Sequence, residues 1–570
     1  MTRIPTFGMM IICLTLAIII LPVFGGLLGV LLPALGYFPA LGYDTFSGDA
    51  FTAFLDNPAS WRGMFHALYI GLIASLLSIL FVFVILSAGT QAGMGQKLMK
   101  WHRRLMGPLI ALPHSTIAIA LLFLLAPSGW LVRLISPELT GWSRPPPFGF
   151  VPDQTGWLLI IGLMSKEIPF LLFIALSQSQ RLAIQNYQQL GASFSYHPIV
   201  VWALIIWPQI YAQMRLPMLA VLAYSLSVVD MALILGPTLP PPLSVLVLQG
   251  FHDADLSARL PASAGASLQI VLIIVGITLW LIGERIMRAL TNRLLAHGKR
   301  LSLLPAISKF LFSAISLMFF LLCMGLLAIA LWAFSSRWSF RDKIPSDFGL
   351  RYWDVDLAFG TLIADTMVIA IGASLLAIAI CVLWLEHIAA HKKAISLITV
   401  LLFIPLFVPQ ISLLFGLQVA LSWSYLDGYL ATVLFTHLLY ILPYVWLTLA
   451  PAYQGHDPNY MHLAYMMGYS RVRAFICVRL PMLGHSFASA MILGVAVSIA
   501  LYLPTIFAGS GKVNTVTVEA VTLAAGGARG PSASAAMMQM LLPFCIFLFV
   551  RLLVAWRYKG LSLMQSHRQL

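Results

Sequence analysis

The chain has 570 residues, of which 60% are hydrophobic and 9% are charged, and its formal net charge is +14 at pH 7. Because soluble domains carry about 25% charged residues, this composition excludes a soluble protein and indicates an all-α polytopic membrane protein. The basic residues lie between apolar segments and form no single patch. They therefore indicate anchoring to a lipid membrane, and we predict no nucleic-acid partner.

Twelve apolar segments are long enough to be transmembrane helices, with ends uncertain by about 2–4 residues. They cover residues 8–32, 66–88, 107–126, 156–176, 213–236, 266–289, 309–334, 359–384, 396–420, 429–450, 485–510 and 535–557. The first segment is too long for a signal-peptide core, so we expect it to remain in the protein. When the loops are assigned alternately to the two sides, most Lys and Arg fall on one side. The positive-inside rule then predicts that both termini are cytoplasmic.

Prolines recur at matching places in the two halves of the chain. The pairs are Pro113 with Pro409, Pro169 with Pro443, and Pro208 with Pro481. The last two pairs have almost the same offset, and the first has a larger one because the first half contains a longer outside loop, 127–155. We therefore predict two parallel six-helix repeats. The first half is 1–289 with a core of about 60–289, a basic cytoplasmic linker is 290–308, and the second half is 309–570 with a core of about 358–557. Parallel repeats are typical of transporters, whose path lies between the halves.

The stretch Asp457–Leu483 is too short and too polar to cross a bilayer, and its arginines place it on the cytoplasmic side. Gly468 suits a sharp turn between two short helices, because glycine accepts a positive φ. Pro481, thirteen residues later, suits the first turn of the next membrane helix. A similar stretch in the first half has Gly191 before Trp207-Pro208. We predict two exposed helix–turn–helix segments that dock one partner.

These two segments resemble the cytoplasmic loops of fused permeases in binding-protein-dependent ABC importers. The family pattern is Glu-Ala-Ala, three residues, Gly, nine residues, Ile, any residue, Leu-Pro. The second copy keeps Gly468 and Leu480-Pro481 at this spacing, with His462-Leu463-Ala464 at the Glu-Ala-Ala position. The first copy has Gln185-Asn186-Tyr187 there and reaches Pro208 seventeen residues after Gly191, four more than the family spacing. Those four residues would form one helical turn. Segments 225–237 and 509–530 also resemble the thiamine and iron(III) permeases of this family.

The resemblance implies a type I ABC importer permease fold in a bacterial inner membrane. It implies a dimer of separate ATPase subunits at the cytoplasmic face and a periplasmic solute-binding protein, and it implies no cofactor. The residues that match the coupling loops of the family are Gly191, Ala192, Pro208, His462, Ala464, Gly468, Leu480 and Pro481. We expect Gly468→Leu to uncouple ATP hydrolysis from uptake. We expect Gly191→Leu to act likewise but less severely, because the longer first loop can absorb some distortion.

Four charged residues are candidates for the lining of a translocation path. Lys166 and Glu167 fall near the centre of span 156–176, where each isolated charge costs about 2.5–3.5 kcal/mol. Adjacent helical residues point about 100° apart, so these two do not simply pair with each other. Asp230 is predicted about 25 Å into its span, near the outer mouth, and Asp365 lies just below the outer face. With Glu167, these carboxylates would favour a cationic substrate. The alternatives are buried polar contacts between helices for the Lys166–Glu167 pair and hydration of a helix end for Asp365.

The sequence gives little support to an enzyme. Gly511-Lys512 resembles the end of a phosphate-binding loop, but Ile506 and Val513 stand where that motif needs Gly and Ser or Thr. No second ligand at suitable spacing accompanies His462, so we predict no catalytic residue, metal or cofactor. The alternative transporter class is a twelve-span secondary carrier of the major facilitator type. Loop 89–106 lacks the Gly-Asp-Arg-Gly-Arg pattern of that class.

Overall fold

The computed structural model describes residues 6–89, 109–147, 151, 153–180, 182–298, 301, 303–353, 356–388 and 392–566, and these are almost entirely helical. Most of loop 89–106 and the start of the predicted third span lie outside the described residues. The helices are α1 (Thr6–Ala34), α2 (Asp49–Leu55), α3 (Pro58–Gly89), α4 (His114–Leu125), α5 (Trp130–Ile135), α6 (Trp157–Ser179), α7 (Ile184–Ser193), α8 (Pro198–Ser227), α9 (Asp230–Leu235), α10 (Leu243–Phe251), α11 (Arg259–Ala296), α12 (Leu304–Ala333), α13 (Asp356–Ile388), α14 (Lys392–Phe407), α15 (Gln410–Trp423), α16 (Leu430–Gly455), α17 (Asn459–Met466), α18 (Arg471–Met482), α19 (Gly484–Ala500), α20 (Leu503–Gly509), α21 (Val516–Ala525) and α22 (Arg529–Ser566). Two short antiparallel strands, β1 (Ser335–Arg337) and β2 (Asp347–Phe348), connect α12 to α13.

Within the described residues, nine helices are long and apolar enough to cross a membrane, and two bent pairs bring the number to 11. The bent pairs are α14 with α15 and α18 with α19, with angles of 91° and 78°. In α1 the apolar stretch Ile19–Ala34 is shorter than the other spans. The chain is therefore a polytopic helical membrane protein, and the count of twelve spans stays a prediction.

Prolines break two of the predicted spans. Pro113 and Pro409 have extended backbone angles and each directly precedes a helix, α4 and α15. A proline cannot donate the hydrogen bond that would continue the preceding helix, so the chain turns at this point. Of the other prolines in predicted spans, Pro169, Pro405, Pro443 and Pro543 lie inside helices, and Pro504 lies in the first turn of α20.

Two further breaks contradict the predicted continuous spans 213–236 and 485–510. Helix α8 ends at Ser227 and α19 ends at Ala500, and the residues after them, Val228 and Leu501, are extended. Polar side chains from later helices satisfy the carbonyl groups that these breaks release. In the first half, the Ser244 hydroxyl donates to Val228 O at 2.6 Å and Gln269 Nε2 donates to Leu226 O at 2.8 Å. In the second half, the Thr517 hydroxyl donates to Ile499 O. Satisfied backbone groups make such breaks tolerable within a membrane.

The first helix of each half packs against the other half. Helix α1 contacts α15, and α12 contacts α4. Small residues allow both approaches: a Cβ added at Gly29 would lie 2.7 Å from Gly416 Cα, and one added at Gly325 would lie 2.6 Å from Ala120 O. The sequence separation of Gly29 and Gly325 equals that of Ala120 and Gly416. The packing of α1 on α15 and of α12 on α4 buries an interface between the halves. Small residues allow membrane helices to approach this closely.

After these exchanged helices, the two halves continue with the same order of elements. Helices α6 to α11 comprise a long helix, a short helix, a long helix (α8), two short helices and a final long helix. Helices α16 to α22 follow the same order, except that two helices bent by 78°, α18 and α19, take the place of α8. The helices on either side of the predicted linker 290–308 extend well into it, because α11 ends at Ala296 and α12 begins at Leu304.

Candidate functional site

Two exposed turns link the short helices α7 and α17 to the long helices that follow. We call residues 184–201 the first turn segment and residues 459–474 the second turn segment. In the second, the N–H of Gly468 donates to Tyr465 O at 3.0 Å and the N–H of Tyr469 donates to Ala464 O at 3.1 Å. Gly468 has φ +81°. This is a Schellman motif, in which a left-handed residue ends the helix, and it confirms the predicted turn at Gly468.

The equivalent turn residue in the first segment is Ser195, so the interpretation of Gly191 as the turn was wrong. Ser195 has φ +60°, and its N–H donates to Ala192 O at 2.9 Å. The N–H of Tyr196 donates to Gly191 O at 3.0 Å, which completes the same motif at the equivalent positions. Ser195 precedes Pro208 by thirteen residues, as Gly468 precedes Pro481. The first segment therefore has no additional helical turn.

Gly191 instead lies inside α7, where it makes room for a neighbouring side chain. It is buried, and a Cβ added to it would lie 2.3 Å from Val201 Cγ2. When the two turns are aligned, the equivalent positions hold Ala464 and Ala474, both buried and in one apolar cluster. The first segment thus packs glycine against valine where the second packs alanine against alanine. Both pairs fill a small space between the short helix and the next one.

A π-helical turn precedes the proline in both segments. Trp202–Ile206 and Phe475–Arg479 are π-helical, and the N–H groups of Trp207 and Leu480 donate to carbonyls five residues back. In a regular α-helix the proline ring collides with the carbonyl four residues back, and the widened turn relieves that contact. Pro208 lies in the first α-helical turn after the π-helical turn of α8. Pro481 lies in the equivalent turn of α18, just before the bend to α19.

The two turn segments differ in charge and in exposed side chains. In the second, Met466 is 85% exposed and Met467 is 67% exposed, and Arg471 and Arg473 are also exposed. His462 is exposed on α17. The first segment exposes Ala192, Leu190 and Phe194 but contains no Lys or Arg. The second segment therefore presents a basic and apolar surface, and the first presents a mainly neutral one.

An ion pair ties α18, the helix that follows the second turn, to the rest of the protein. Arg479 Nη1 lies 2.8 Å from Glu386 Oε1 on α13, and its guanidinium lies 5.5 Å from the centre of the Tyr453 ring. His456, at the end of α16, lies near this pair. Burial, and after it the charge of Arg479, lowers the pKa of His456. Helix α18 is thus held by a carboxylate of α13 and an aromatic ring of α16.

Lys166 fixes the proline break at the start of α4. Its ammonium group donates to Ile110 O at 2.7 Å and also to Leu112 O, two carbonyls within the three residues before Pro113. Those carbonyls lack helical partners because of the break. Lys166 therefore stabilises the backbone that orients His114. Its neighbour Glu167 points to a different partner, as the helical spacing predicts.

Glu167 and Asp230 belong to a chain of four side chains that we call the acidic site (His114, Glu167, Tyr224 and Asp230). Glu167 Oε1 lies 3.6 Å from His114 Nε2, and the ring centroids of His114 and Tyr224 are 4.6 Å apart. The Tyr224 hydroxyl donates to Asp230 Oδ1 at 3.2 Å. Glu167 is 6% exposed and Asp230 is 8% exposed. Asp230 begins α9 directly after the break at Val228, and does not lie within a continuous span as predicted.

The acidic site lies close to the second half of the chain. Tyr444 of α16 lies close enough to Glu167 to interact with its charge, and Tyr502, at the break after α19, does the same with Asp230. Helix α9, which begins at Asp230, also contacts α21 of the second half, so the acidic site lies where the two halves meet. Asp365 is half-buried on α13, and no hydrogen bond or ion pair joins it to these residues in the described part of the chain.

Sequence reasoning missed His114 and the three tyrosines. His114 had a signal, since it follows a proline that matches Pro409 in the other half. The tyrosines had none, because their proximity depends on how the helices pack.

A comparison with known proteins supports the assignment of the chain as a polytopic membrane protein. The chain is 30% identical over 461 residues to the inner membrane ABC transporter permease protein YnjC of Escherichia coli (strain K12), and the alignment covers 80% of this chain and 82% of that protein. No protein-family model matches the chain, and no solved structure matches it. Identity of this extent over most of both proteins establishes their relationship. The chain therefore belongs to the family of inner-membrane ABC transporter permeases, membrane subunits that are not themselves catalytic enzymes.

Proposed function

We propose that the chain is the permease subunit of an importer. It would form the path for a small solute that a periplasmic binding protein delivers and that a separate dimer of ATPase subunits drives. The observation that carries this proposal is the pair of turn segments. Both have the same backbone hydrogen bonds, both are followed by a π-helical turn, and in both a proline lies thirteen residues after the turn residue. Two exposed turns with the same backbone shape are suited to bind two copies of one ATPase subunit.

The proposed architecture is two parallel six-helix repeats, 1–289 and 309–570, of the type I importer fold. Helix order, the matching breaks and the reciprocal packing of α1 and α12 support it. Within the family, we place the chain near the thiamine and iron(III) permeases on the resemblance of its segments 225–237 and 509–530.

The coupling surface would comprise the two turn segments and the prolines that follow them. Its residues would be Gly191, Ala192, Pro208, His462, Ala464, Gly468, Leu480 and Pro481. The path would pass the acidic site, since Glu167 and Asp230 are buried where the halves meet. Lys166 would act on the path through the break that it fixes, and Asp365 would lie outside the path.

Cysteine labelling tests the proposed orientation. Gly48, Thr522 and Ala296 are all exposed in the structure. In a background with all five native cysteines replaced, G48C and T522C should react with an impermeant reagent in intact cells, and A296C should react only after the cells are opened. Labelling of A296C in intact cells would contradict the orientation.

The composition of the purified complex tests the function. We expect native mass spectrometry to show one permease chain with two ATPase subunits, because one chain carries both turn segments. The complex should hydrolyse ATP faster in reconstituted vesicles when the loaded binding protein is added. A permease that purifies alone and transports without ATP would contradict the proposal and identify a secondary carrier.

A further inference from the structure

An apolar groove, which we call the α12 groove, lies beside the end of α12, where the chain continues into β1. Its volume is about 870 Å³, within the range of about 300–1,000 Å³ that is typical of ligand sites. Its walls come from α5, from the last turns of α12 and from the segment that includes β2. Among the described residues that line it, only Lys343 carries a charge. A groove lined in this way suits an apolar ligand.

The α12 groove continues an exposed apolar stripe along α12. Phe310, Leu317, Phe320 and Leu327 are each more than half exposed, and they follow one another at helical spacings of seven, three and seven residues. The stripe is about 25 Å long at 1.5 Å per residue, so it covers most of a hydrocarbon core of about 30 Å. Leu327, its last member, also lines the groove. Because α12 is long and apolar enough to span a membrane, the stripe faces lipid and the groove opens at the edge of the hydrocarbon core.

Beyond the end of α12, apolar side chains that line the groove are left uncovered. Ile344 is 60% exposed, Phe348 is 57% exposed and Leu350 is 63% exposed. An exposed apolar patch of this kind marks an interaction site. Trp130 also lines the groove, and its indole N–H donates to Lys343 O at 2.9 Å. Because tryptophan is enriched where a membrane meets water, these residues indicate the level of the lipid headgroups, from which an acyl chain can enter.

A basic rim suits the phosphate of a lipid headgroup. The Lys343 side chain is 47% exposed, and its Nζ lies 2.9 Å from Oε1 of Glu138, which is also exposed. An ammonium group has three donors, so Lys343 can bind a phosphate oxygen as well as this carboxylate. Arg341 and Arg351 are exposed in the same segment of the chain. Basic residues near a membrane surface attract anionic headgroups.

The groove is already formed, because hydrogen bonds hold two of its walls together. Arg133 of α5 is 4% exposed, donates to Ser339 O, and lies with its guanidinium 4.9 Å from the centre of the Trp338 ring. The bond from Trp130 to Lys343 O joins α5 to the same segment. A preformed groove loses little conformational freedom when a ligand binds.

We propose that the α12 groove binds a phospholipid of the surrounding bilayer, with one acyl chain in the groove and the phosphate at Lys343. A lipid suits the groove better than a protein partner does, because the groove opens onto the lipid-facing stripe of α12, where the bilayer supplies acyl chains. This site goes beyond the transport function and does not depend on it.

The test uses the purified full-length chain in detergent and phosphatidylglycerol that carries a photoreactive diazirine in one acyl chain. Mass spectrometry identifies the labelled residues, and unlabelled phosphatidylglycerol is the competitor. Labelling of the residues that line the groove should saturate and be competed. Labelling of the stripe around Leu317 should instead rise in proportion to the lipid added. Labelling of the groove that neither saturates nor is competed would overturn the proposal.

Variants with opposite expected effects test the binding mode. Ala330→Trp fills the groove and should lower its labelling by about fivefold or more, whereas Ala314→Trp, the same change elsewhere on α12, should leave it unchanged. Lys343→Gln should weaken lipid binding by about threefold, because it removes a charge from the rim. Glu138→Gln should strengthen binding by about twofold, because it frees the ammonium group of an exposed ion pair. If Lys343→Gln and Glu138→Gln weaken binding equally, the ion pair has only a structural role and the proposed phosphate contact is wrong.

A second pair of variants keeps the test decisive if Ala330→Trp fails to fold. Ile344→Asp changes an exposed side chain and should lower labelling of the groove by about fivefold or more, because an acyl chain would cover a carboxylate. Leu239→Asp, at a position that is 83% exposed and outside the groove, is the control and should have no effect. Unchanged labelling in both Ala330→Trp and Ile344→Asp would overturn the proposal. A permease dimer in native mass spectrometry that Ile344→Asp dissociates would also overturn it, because a second copy would then cover the groove.

Discussion

The two turn segments reach one backbone shape with different side chains. Gly468 occupies the left-handed position in the second segment, and Ser195 occupies it in the first. Below the turn, a glycine–valine pair in one segment replaces an alanine–alanine pair in the other. The backbone hydrogen bonds are the same in both. The two segments thus share the geometry of the turn. In the first segment the glycine that matches the family motif, Gly191, lies four residues before the turn residue Ser195.

The surfaces above the two turns are less alike. The second segment has two exposed arginines and two exposed methionines, and Arg473 lies 4.7 Å above the Tyr469 ring. The first segment has neither charge nor methionine. We infer that two turns of the same backbone shape present different side chains to the same partner. Substitutions in the two segments should therefore affect partner binding differently.

The largest expected effect is at Gly191. Leucine there would collide with Val201, and overpacking of this kind costs about 3 kcal/mol. At Gly468 nothing lies within 4 Å of an added Cβ, so leucine costs only the left-handed backbone, about 1–2 kcal/mol. Thermal unfolding in detergent should therefore show Gly191→Leu as less stable than Gly468→Leu. Equal unfolding temperatures would contradict the packing account.

The next effect distinguishes the two small-residue pairs. Gly191→Ala should destabilise the protein by about 1–3 kcal/mol through the contact with Val201. Adding Val201→Ala should recover at least about 1 kcal/mol, because it recreates the alanine pair of the second segment. The reciprocal control is Ala474→Val, whose defect Ala464→Gly should relieve. Additive effects in both double variants would show that the two residues of each pair do not pack against each other.

A smaller effect concerns charge. Replacing Arg471 and Arg473 with alanine should weaken ATPase binding by about tenfold at low salt and remove most of its salt dependence. The matched control replaces Arg288 and Arg293, exposed on α11 outside both turn segments. The measurement is the affinity of each permease variant for the ATPase at low and at high salt. A similar loss in the control would show general electrostatic attraction and not docking on the second segment.

The smallest effect is at Ser195. Glycine there removes the strain of a left-handed serine but adds conformational freedom to the unfolded chain, so stability should rise by only about 0.5 kcal/mol. Ala192→Gly, a change inside α7, should instead lower stability by up to about 1 kcal/mol. If Ser195→Gly is as harmful as Ala192→Gly, the serine side chain has a role beyond the turn.

Much of the fold could be predicted from apolar segment lengths and prolines. The breaks at Pro113 and Pro409 and the turn at Gly468 follow from backbone chemistry that a sequence displays. The breaks at Val228 and Leu501 do not, because these residues are apolar and the groups that stabilise the breaks come from distant helices. Ser244 and Gln269 reach the carbonyl groups at the first of these breaks only after the later helices have packed against α8.

The candidate site could be predicted only in part, again because some of its contacts come from distant helices. Intramembrane charge identified Glu167 and Asp230 as buried functional candidates. Their connection through His114 and Tyr224 depends on tertiary packing, as does the approach of Tyr444 and Tyr502 from the other half. Asp365 carries an equal charge but lies apart from them, which a sequence pattern does not reveal.

The central claim is that the turn segments couple this permease to an ATPase, and Gly468→Leu tests it most directly. The matched control is Gly42→Leu, because Gly42 has φ +82° and also nothing within 4 Å of an added Cβ. Both variants should reach the membrane at wild-type levels. ATP hydrolysis and solute uptake are then measured in reconstituted vesicles that contain the ATPase and the binding protein. The account predicts that Gly468→Leu loses the coupling of hydrolysis to uptake and that Gly42→Leu retains it. Full ATPase binding and uptake in Gly468→Leu would contradict the account.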